Sequence, residues 1–329
     1  MERDTMKAIQ FDRVGGPEVL TLVDVEEPDL PDDGLLVDVR AVGVNFADTY
    51  ARRGSWPTAL PSIPGDEAVG VVRAVGARTE GFAPGDRVAW TMGRATYAEV
   101  AVAPARTAAK LPDGLPDEAG LAIAQGLTAH YLASDTARLV PGDVALVLSG
   151  AGGVGGLLTQ LLTLKGVRVI ATVSSEAKVA AARAAGAEAV LVARDGGFSG
   201  EVRALTGGAG AAAVFDAVGK DSFEASLASV ARRGTVVLYG ASSGQPPLLD
   251  TQALARAGSA SLTRVRLWDF IVTREAFEAR AADLFGWIAD GRVTVNIGGR
   301  YPLSQAAEAQ AALESRATTG KLLLVTETG

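Results

Sequence analysis

The sequence predicts an α/β protein: a doubly wound parallel sheet joined to a second, β-rich domain. Three observations carry this. Residues 144–155 read VALVLSGAGGVG, a short uncharged apolar run that breaks into a glycine turn. Leu157, Leu158, Leu161, Leu162 and Leu164 then recur at helical spacing. Beyond that helix, apolar strands and alanine-rich helices alternate, whereas residues 6–110 hold many short alternating runs separated by turn residues.

The elements follow in order. Met6–Phe11, Leu20–Val25 and Leu35–Arg40 read as strands, with turns at Gly15-Gly16-Pro17, Pro31–Gly34, Pro64-Gly65 and Pro84–Asp86. Val69–Val75 and Arg87–Trp90 continue the pattern of a small barrel-like domain. Within it, Asn45, Asp48, Tyr50 and Trp56 bring polar and aromatic groups together just after a strand. They read equally as the wall of a substrate pocket or as a short helix capped by Asn45. Asp117–Leu132 reads as a helix and holds His130 and Thr128. Pro141-Gly142 introduces the central strand at Val144–Leu148.

Gly150-x-Gly152-x-x-Gly155 lies between that strand and a helix, the context in which such a fingerprint binds a dinucleotide in a Rossmann-type domain. The glycines permit a tight turn and close approach of backbone to a pyrophosphate. The helix start offers N–H groups and the positive end of a dipole. A second strand, Val167–Val173, follows. At its tip an NAD site places an acidic residue for the ribose 2′-hydroxyl. Here stand Ser174, Ser175 and then Lys178, hydroxyls and a cation suited to a 2′-phosphate, which favours NADPH. The bland alternative is that Ser175 caps the next helix and Lys178 is solvated.

Lys178–Ala185 reads as a helix, Ala189–Val192 as a strand, Ser199–Leu205 as a helix and Ala212–Phe215 as a strand. Ser222–Ala231 reads as a helix closed near Gly234, and Thr235–Tyr239 as a strand. Ligands of such sheets lie beyond the carboxyl ends of the strands. Residues 149–155, Ser174, Val218-Gly219 and Tyr239-Gly240-Ala241-Ser242 are therefore expected along one edge. Ser259–Leu267 reads as an edge strand whose self-pairing would build a two-fold homodimer. A helix over Thr273–Asp290, a segment at Arg300–Leu303, a helix over Ala306–Leu313 and a strand at Lys321–Val325 finish the chain. They are expected to rejoin the first domain. The division is then 1–124 with 267–329 for the β-rich domain and 125–266 for the dinucleotide domain.

Composition narrows the function. A net charge of −7, with no basic run, argues against a nucleic-acid partner. Met1-Glu2-Arg3-Asp4 opens no signal peptide, and the glycines within Val144–Leu164 break the one run long enough to ask about a membrane span. A cytoplasmic location without membrane attachment is the expectation. With no cysteine and one histidine, disulfides, cysteine-rich zinc lobes and cysteine nucleophiles are excluded, and no metal site is expected. His130 lies outside any GxSxG elbow and reads as a packing residue.

Gly43-Val-Asn-Phe-Ala-Asp-Thr-Tyr50, Pro64-Gly-Asp-Glu-Ala-Val-Gly70, Gly85-Asp-Arg-Val88, Gln125-Gly-Leu-Thr-Ala129, Ala151-Gly-Gly-Val-Gly155 and Leu313-Glu-Ser-Arg-Ala-Thr-x-Gly-Lys321 together resemble one family across essentially the whole chain. It is that of the zinc-free, zeta-crystallin-like quinone oxidoreductases of the medium-chain dehydrogenase/reductase superfamily. Zinc-dependent relatives carry a cysteine near Asn45 and a histidine near Asp66, and this chain has neither. The resemblance implies a GroES-like β-rich catalytic domain beside the Rossmann domain. It implies NADPH, with Ser174, Ser175 and Lys178 around the 2′-phosphate, Gly152, Gly153 and Val154 at the pyrophosphate, and Thr128 near the nicotinamide. Val218, Tyr239, Gly240 and Ser242 belong to the expected cofactor edge. Asn45 and Tyr50 would line the cleft between domains, Asn45 touching both cofactor and acceptor, and Arg316 would reach back to the cofactor. Two departures stand out: Ala193, where close relatives carry an aromatic residue, and Ser55-Trp56, which replaces a small residue and a tyrosine.

The expected activity is NADPH-dependent reduction of a quinone or related conjugated acceptor. Reduction of an enal or enone carbon–carbon double bond, or dinucleotide binding without turnover, are the alternatives.

Overall fold

The computed structural model describes residues 4–193 and 197–327; the opening Met1-Glu2-Arg3 lies outside them. The chain divides into two compact units, Met1–Ala124 with Ile271–Gly329, and Gln125–Phe270.

The first unit begins with β1 (Thr5–Gln10) and β2 (Thr21–Glu26), an antiparallel pair. There follow β3 (Gly34–Val44), α1 (Phe46–Arg52), β4 (Ala68–Val75), β5 (Arg87–Trp90), β6 (Val100–Pro104), β7 (Ala108–Lys110) and α2 (Asp117–Gly120). The helix α3 (Ile123–Asp135) starts here and continues into the second unit. The expected single helix over 117–132 is thus two. The chain breaks at Leu121-Ala122, both buried, and a side chain at Gly120 would stand 2.8 Å from Leu111.

The second unit continues with β8 (Val144–Val147), α4 (Gly153–Leu164), β9 (Arg168–Val173), α5 (Val179–Ala184), β10 (Ala189–Val192), α6 (Ser199–Leu205), β11 (Ala211–Asp216), α7 (Phe223–Ser229), β12 (Val230–Leu238), α8 (Gln252–Arg256) and β13 (Ser261–Arg264). All six strands are parallel, in the order β10-β9-β8-β11-β12-β13. The winding reverses at β8, so β9 and β11 flank it. This is the switch point of a doubly wound sheet, the place where such folds hold ligands. Leu146, Val214, Val236 and Leu238 are buried between the strands and the crossover helices.

Two elements here differ from expectation. The helix after Ser222 ends at Ser229, and Val230–Gly234 already belongs to β12. Val230 is fully buried, and the ladder skips from Ala211↔Val230 to Ala213↔Thr235. A bulge with Arg233 at φ 60° absorbs the extra residues. The edge strand β13 is also shorter than Ser259–Leu267. Leu267–Phe270 instead forms a 3-10 turn that stacks Phe270 on Tyr131, ring centres 4.0 Å apart.

The chain then returns to the first unit as α9 (Arg274–Ala289), β14 (Ile297–Pro302), α10 (Ala306–Glu314) and β15 (Lys321–Val325). The sheet there runs β14-β15-β3-β4-β5-β7, with β6 also on β3. Leu322, Leu323 and Leu324 are buried, each contributing roughly 1.5–3 kcal/mol if fully withdrawn from water. They pin the end of the chain to β3 in the register Leu322↔Val44. That register brings Lys321 beside Asn45, 276 residues away in sequence.

Candidate active site

In the second unit the glycine turn has the geometry its sequence suggested. Ser149 takes φ 56° and Gly152 precedes α4 with no side chain capping the helix. A Cβ on Gly150 would lie 2.6 Å from the Ala171 Cβ, and one on Gly155 would overlap the Ser149 carbonyl. Gly150 and Gly155 are therefore fixed by strand and helix packing. Gly152 differs, since a Cβ there meets only the Ser149 oxygen, at 3.2 Å. The surrounding space is open at the start of a twelve-residue helix. Gly153 lies against Gln125, which is three residues before Thr128 on α3, and Val154 follows it in the first turn of α4.

Beyond β9, Ser174, Ser175 and Lys178 are all part-buried. Ser175 is in the N-cap position of a 3-10 turn, yet its hydroxyl makes no cap bond. The bland capping role is thus not the one its side chain performs.

The loop after β11 is organised by a residue that the sequence reading passed over. Asp216 is fully buried. Its Oδ1 accepts from the backbone N–H of Val218 (2.7 Å) and Gly219 (3.0 Å) and from the Ser222 hydroxyl (2.8 Å). Its Oδ2 accepts from the Ser226 hydroxyl at 2.7 Å. A buried carboxylate needs this many donors. The result holds Val218 rigidly beside the neighbouring strand ends. The detectable signal was an aspartate at a strand end followed by hydroxyls six and ten residues later.

After β12, Tyr239 bonds through its N–H to the Asp216 carbonyl, and Ser242 N–H to the Ala217 carbonyl at 3.2 Å. A side chain on Gly240 would overlap the Ala217 carbonyl. Among the described residues, four buried side-chain polar atoms lack a partner: Trp90 Nε1, Thr91 Oγ1, Thr107 Oγ1 and the Tyr239 hydroxyl. Tyr239 alone of the four stands at the carboxyl edge of the parallel sheet. Burial, then the Asp216 carboxylate, pushes its ionisation well above the usual range, so it stays a neutral donor. The turns after β8, β9, β11 and β12 thus come together along one edge. They present an open backbone cradle, uncommitted hydroxyls and an orphaned buried donor, features that fit a dinucleotide.

The first unit places Asn45 and Tyr50 on either side of the start of α1. Tyr50 is part-buried and meets the half-exposed Trp56 edge to face, centroids 5.3 Å apart. Arg316 follows α10, exposed, at φ 57°. Asn45 begins α1 in a capping box with Asp48, and its backbone N–H donates to Asp48 Oδ2 at 2.8 Å. Its side chain also meets two buried charges. Nδ2 donates to Glu67 Oε2 at 2.8 Å, and Oδ1 accepts from Lys321 Nζ at 2.9 Å. Lys321 Nζ also pairs with Glu67, and both side chains are at most 1% exposed. Glu67 Oε1 accepts from Ala124 N–H, in the first turn of α3, at 2.8 Å. Sequence reasoning missed Glu67 and Lys321. The available signal was a charged residue immediately before, or opening, an otherwise apolar strand.

A second buried layer lies behind Asn45. Asp48 accepts from the Tyr97 hydroxyl at 3.0 Å, and Gln310 Nε2 donates to that hydroxyl at 3.4 Å. Arg52, fully buried, donates to Gln310 Oε1, the Gly15 carbonyl and Glu314 Oε1 at 2.7, 2.7 and 2.6 Å. Burial, then repulsion from Asp66, raises the Asp48 carboxyl to about 8; burial, then repulsion from Glu67, raises Asp66 to about 6. His130 is buried on α3.

Comparison with known proteins places this geometry in context. Residues 31–113 match the alcohol dehydrogenase GroES-like domain, and residues 153–285 the zinc-binding dehydrogenase domain. A quinone oxidoreductase of Pseudomonas aeruginosa is 38% identical over 97% of this chain and 99% of its own length. A 2-haloacrylate reductase of Burkholderia is 33% identical over 87% of this chain and 88% of its own. Among solved structures, a mycobacterial protein complexed with NADPH superimposes with a TM-score of 0.94. It is 46% identical and covers 97% of this chain and 100% of its own. The quinone oxidoreductase of Escherichia coli complexed with NADPH also gives 0.94, at 36% identity, covering 98% and 100%.

Proposed function

The chain belongs to the zinc-free quinone oxidoreductase family of medium-chain dehydrogenases/reductases, and from that premise we propose that it reduces quinones with NADPH and without a metal. The carrying observation is the open cradle at Gly152, at the switch point of the parallel sheet, beside Ser174, Ser175 and Lys178. When bound there, NADPH supplies the hydride. The protein's part is to bind, orient and exclude water. Gly152, Gly153 and Val154 offer backbone N–H groups to the pyrophosphate. Lys178 neutralises the 2′-phosphate, with the two serine hydroxyls as donors. Tyr239 offers its orphaned hydroxyl, and Thr128, Val218, Gly240 and Ser242 complete the edge. Arg316 is the cation we assign to the cofactor from the first unit. Asn45 and Tyr50 are assigned to the acceptor oxygen, where negative charge builds during reduction, with Asn45 also facing the nicotinamide. The complete lack of cysteine fits a site that polarises its substrate with hydrogen-bond donors instead of a cysteine-bound metal.

The same reading includes a small-molecule quinone or enone as substrate, a cytoplasmic location, and a homodimer through the edge strand β13, which gel filtration tests. No helix among the described residues is long and apolar enough to cross a membrane.

A second reading, reduction of an activated carbon–carbon double bond, is favoured by the 2-haloacrylate reductase relative. NADPH oxidation measured on 9,10-phenanthrenequinone, a 2-alkenal and 2-chloroacrylate separates the two. Turnover on the quinone above the others supports the first, and turnover confined to the alkenes supports the second.

A further inference from the structure

We propose that Glu67 and Lys321 are positioning residues, a buried ion pair that fixes the Asn45 carboxamide in one of its two flips. The proposal rests on the reading of Asn45 as a site residue.

A carboxamide presents an acceptor at one end and a donor pair at the other. Lys321 Nζ carries only donors, and the Glu67 carboxylate only acceptors. They meet opposite ends of Asn45, with Oδ1 taking the ammonium at 2.9 Å and Nδ2 giving to the carboxylate at 2.8 Å. The flipped amide would set NH2 against an ammonium and oxygen against a carboxylate, two like-against-like contacts with fully buried charges. Only one orientation survives.

The surroundings are shaped to admit the pair. Gly43, two residues before Asn45, has no room for a side chain, since its Cβ would overlap Glu67 and stand 2.6 Å from Lys321 Nζ. The β15–β3 register delivers Lys321. Glu67 is tied on its far oxygen to Ala124 N–H, four residues before Thr128 on α3. One carboxylate therefore ties Asn45 to the first turn of α3. Stability does not explain this arrangement, because a fully buried ion pair gains little over well-packed apolar side chains of the same volume. Orientation of the amide does.

The test is a cycle on the full chain. In Glu67→Gln/Lys321→Met the charges leave together and the shapes stay. We expect quinone-dependent kcat to fall at least tenfold while the KM for NADPH stays within twofold. Asn45→Ala in that background should cost nothing further, although alone it costs as much. Glu67→Asp keeps the charge balance but draws the carboxylate back from Asn45 Nδ2 and from Lys321 Nζ, which share its Oε2, so it is the companion variant should the first not fold. It too should lose kcat and leave the NADPH KM unmoved. A kcat within twofold of the parent in either folded variant, with Asn45→Ala alone crippled, overturns the positioning role and leaves the reading of Asn45 standing. An unchanged kcat in Asn45→Ala overturns that reading itself, and the inference with it. Additive losses also overturn the inference, since they mean the pair does not act through Asn45.

Discussion

The carboxyl edge of the parallel sheet and the polar heart of the β-rich unit are built by opposite means. The edge is made of backbone. Glycines permit the turns, and the two side chains that shape it, Asp216 and Ser222, serve to hold backbone N–H groups in place. The polar heart is made of side chains: Asn45, Glu67 and Lys321 arrive from three strand ends and meet through charge. A backbone site tolerates change in side chains but not in the space around its turns. A side-chain site depends on every partner being present. Substitutions should therefore fail differently in the two regions.

The largest effect is expected from Lys321→Met alone, which leaves Glu67 buried without its counter-charge. Breaking such a pair costs about 3–5 kcal/mol. Urea unfolding should show that loss, and adding Glu67→Gln should restore most of it. A single variant as stable as the parent would mean that the core is wetter than its burial implies.

On the backbone side the comparable test changes binding and spares the fold. Lys178→Ala should weaken NADPH by about 1.5–3 kcal/mol, the worth of a hydrogen bond to a charged group. NADH should be unaffected. An unchanged NADPH-to-NADH ratio of KM values would remove Lys178 from the 2′-phosphate.

A pH experiment sharpens the contrast. The folded Asp48 carboxyl is raised to about 8 from an ordinary 3.8, mainly by burial. Between those values the folded state holds a proton that the unfolded chain has released. Stability therefore falls as pH rises through this window, and levels off above pH 8, at a slope of at most about 1.4 kcal/mol per unit from this one group. Asp48→Asn keeps an acceptor for Tyr97 and should flatten the slope, most clearly between pH 6 and 8, above the range in which Asp66 titrates. An identical slope in the variant would assign the dependence elsewhere.

The smallest effect belongs to the solvent-exposed pair Arg168–Glu188, both about half exposed. Arg168→Ala should leave the urea midpoint close to the parent's, because solvent screens surface pairs, and leave catalysis alone.

The same division explains what the sequence made legible. The glycine turn was readable because its constraint is local: strand, turn and helix are contiguous, and period and composition announce them. The strand alternation from Val144 to Leu238 was readable for the same reason. Val230–Gly234 was not, because the pull of β11 into a bulge overrode a helical-looking run. Nor was the early end of β13, which depends on Phe270 finding Tyr131 more than a hundred residues earlier. In sequence Asn45 reads equally as helix cap and pocket wall, and it is both a cap residue and part of a side-chain network. Its partners lie 22 and 276 residues away. Neither propensity nor spacing reports on a contact made only by sheet register.

The most direct measurement is the initial rate of nicotinamide oxidation by the purified protein with 1,4-benzoquinone as acceptor, comparing NADPH with NADH. Sustained oxidation of NADPH, with kcat/KM at least tenfold above that for NADH, is the predicted result. No oxidation of NADPH with the quinone, or equal use of NADH, would contradict it.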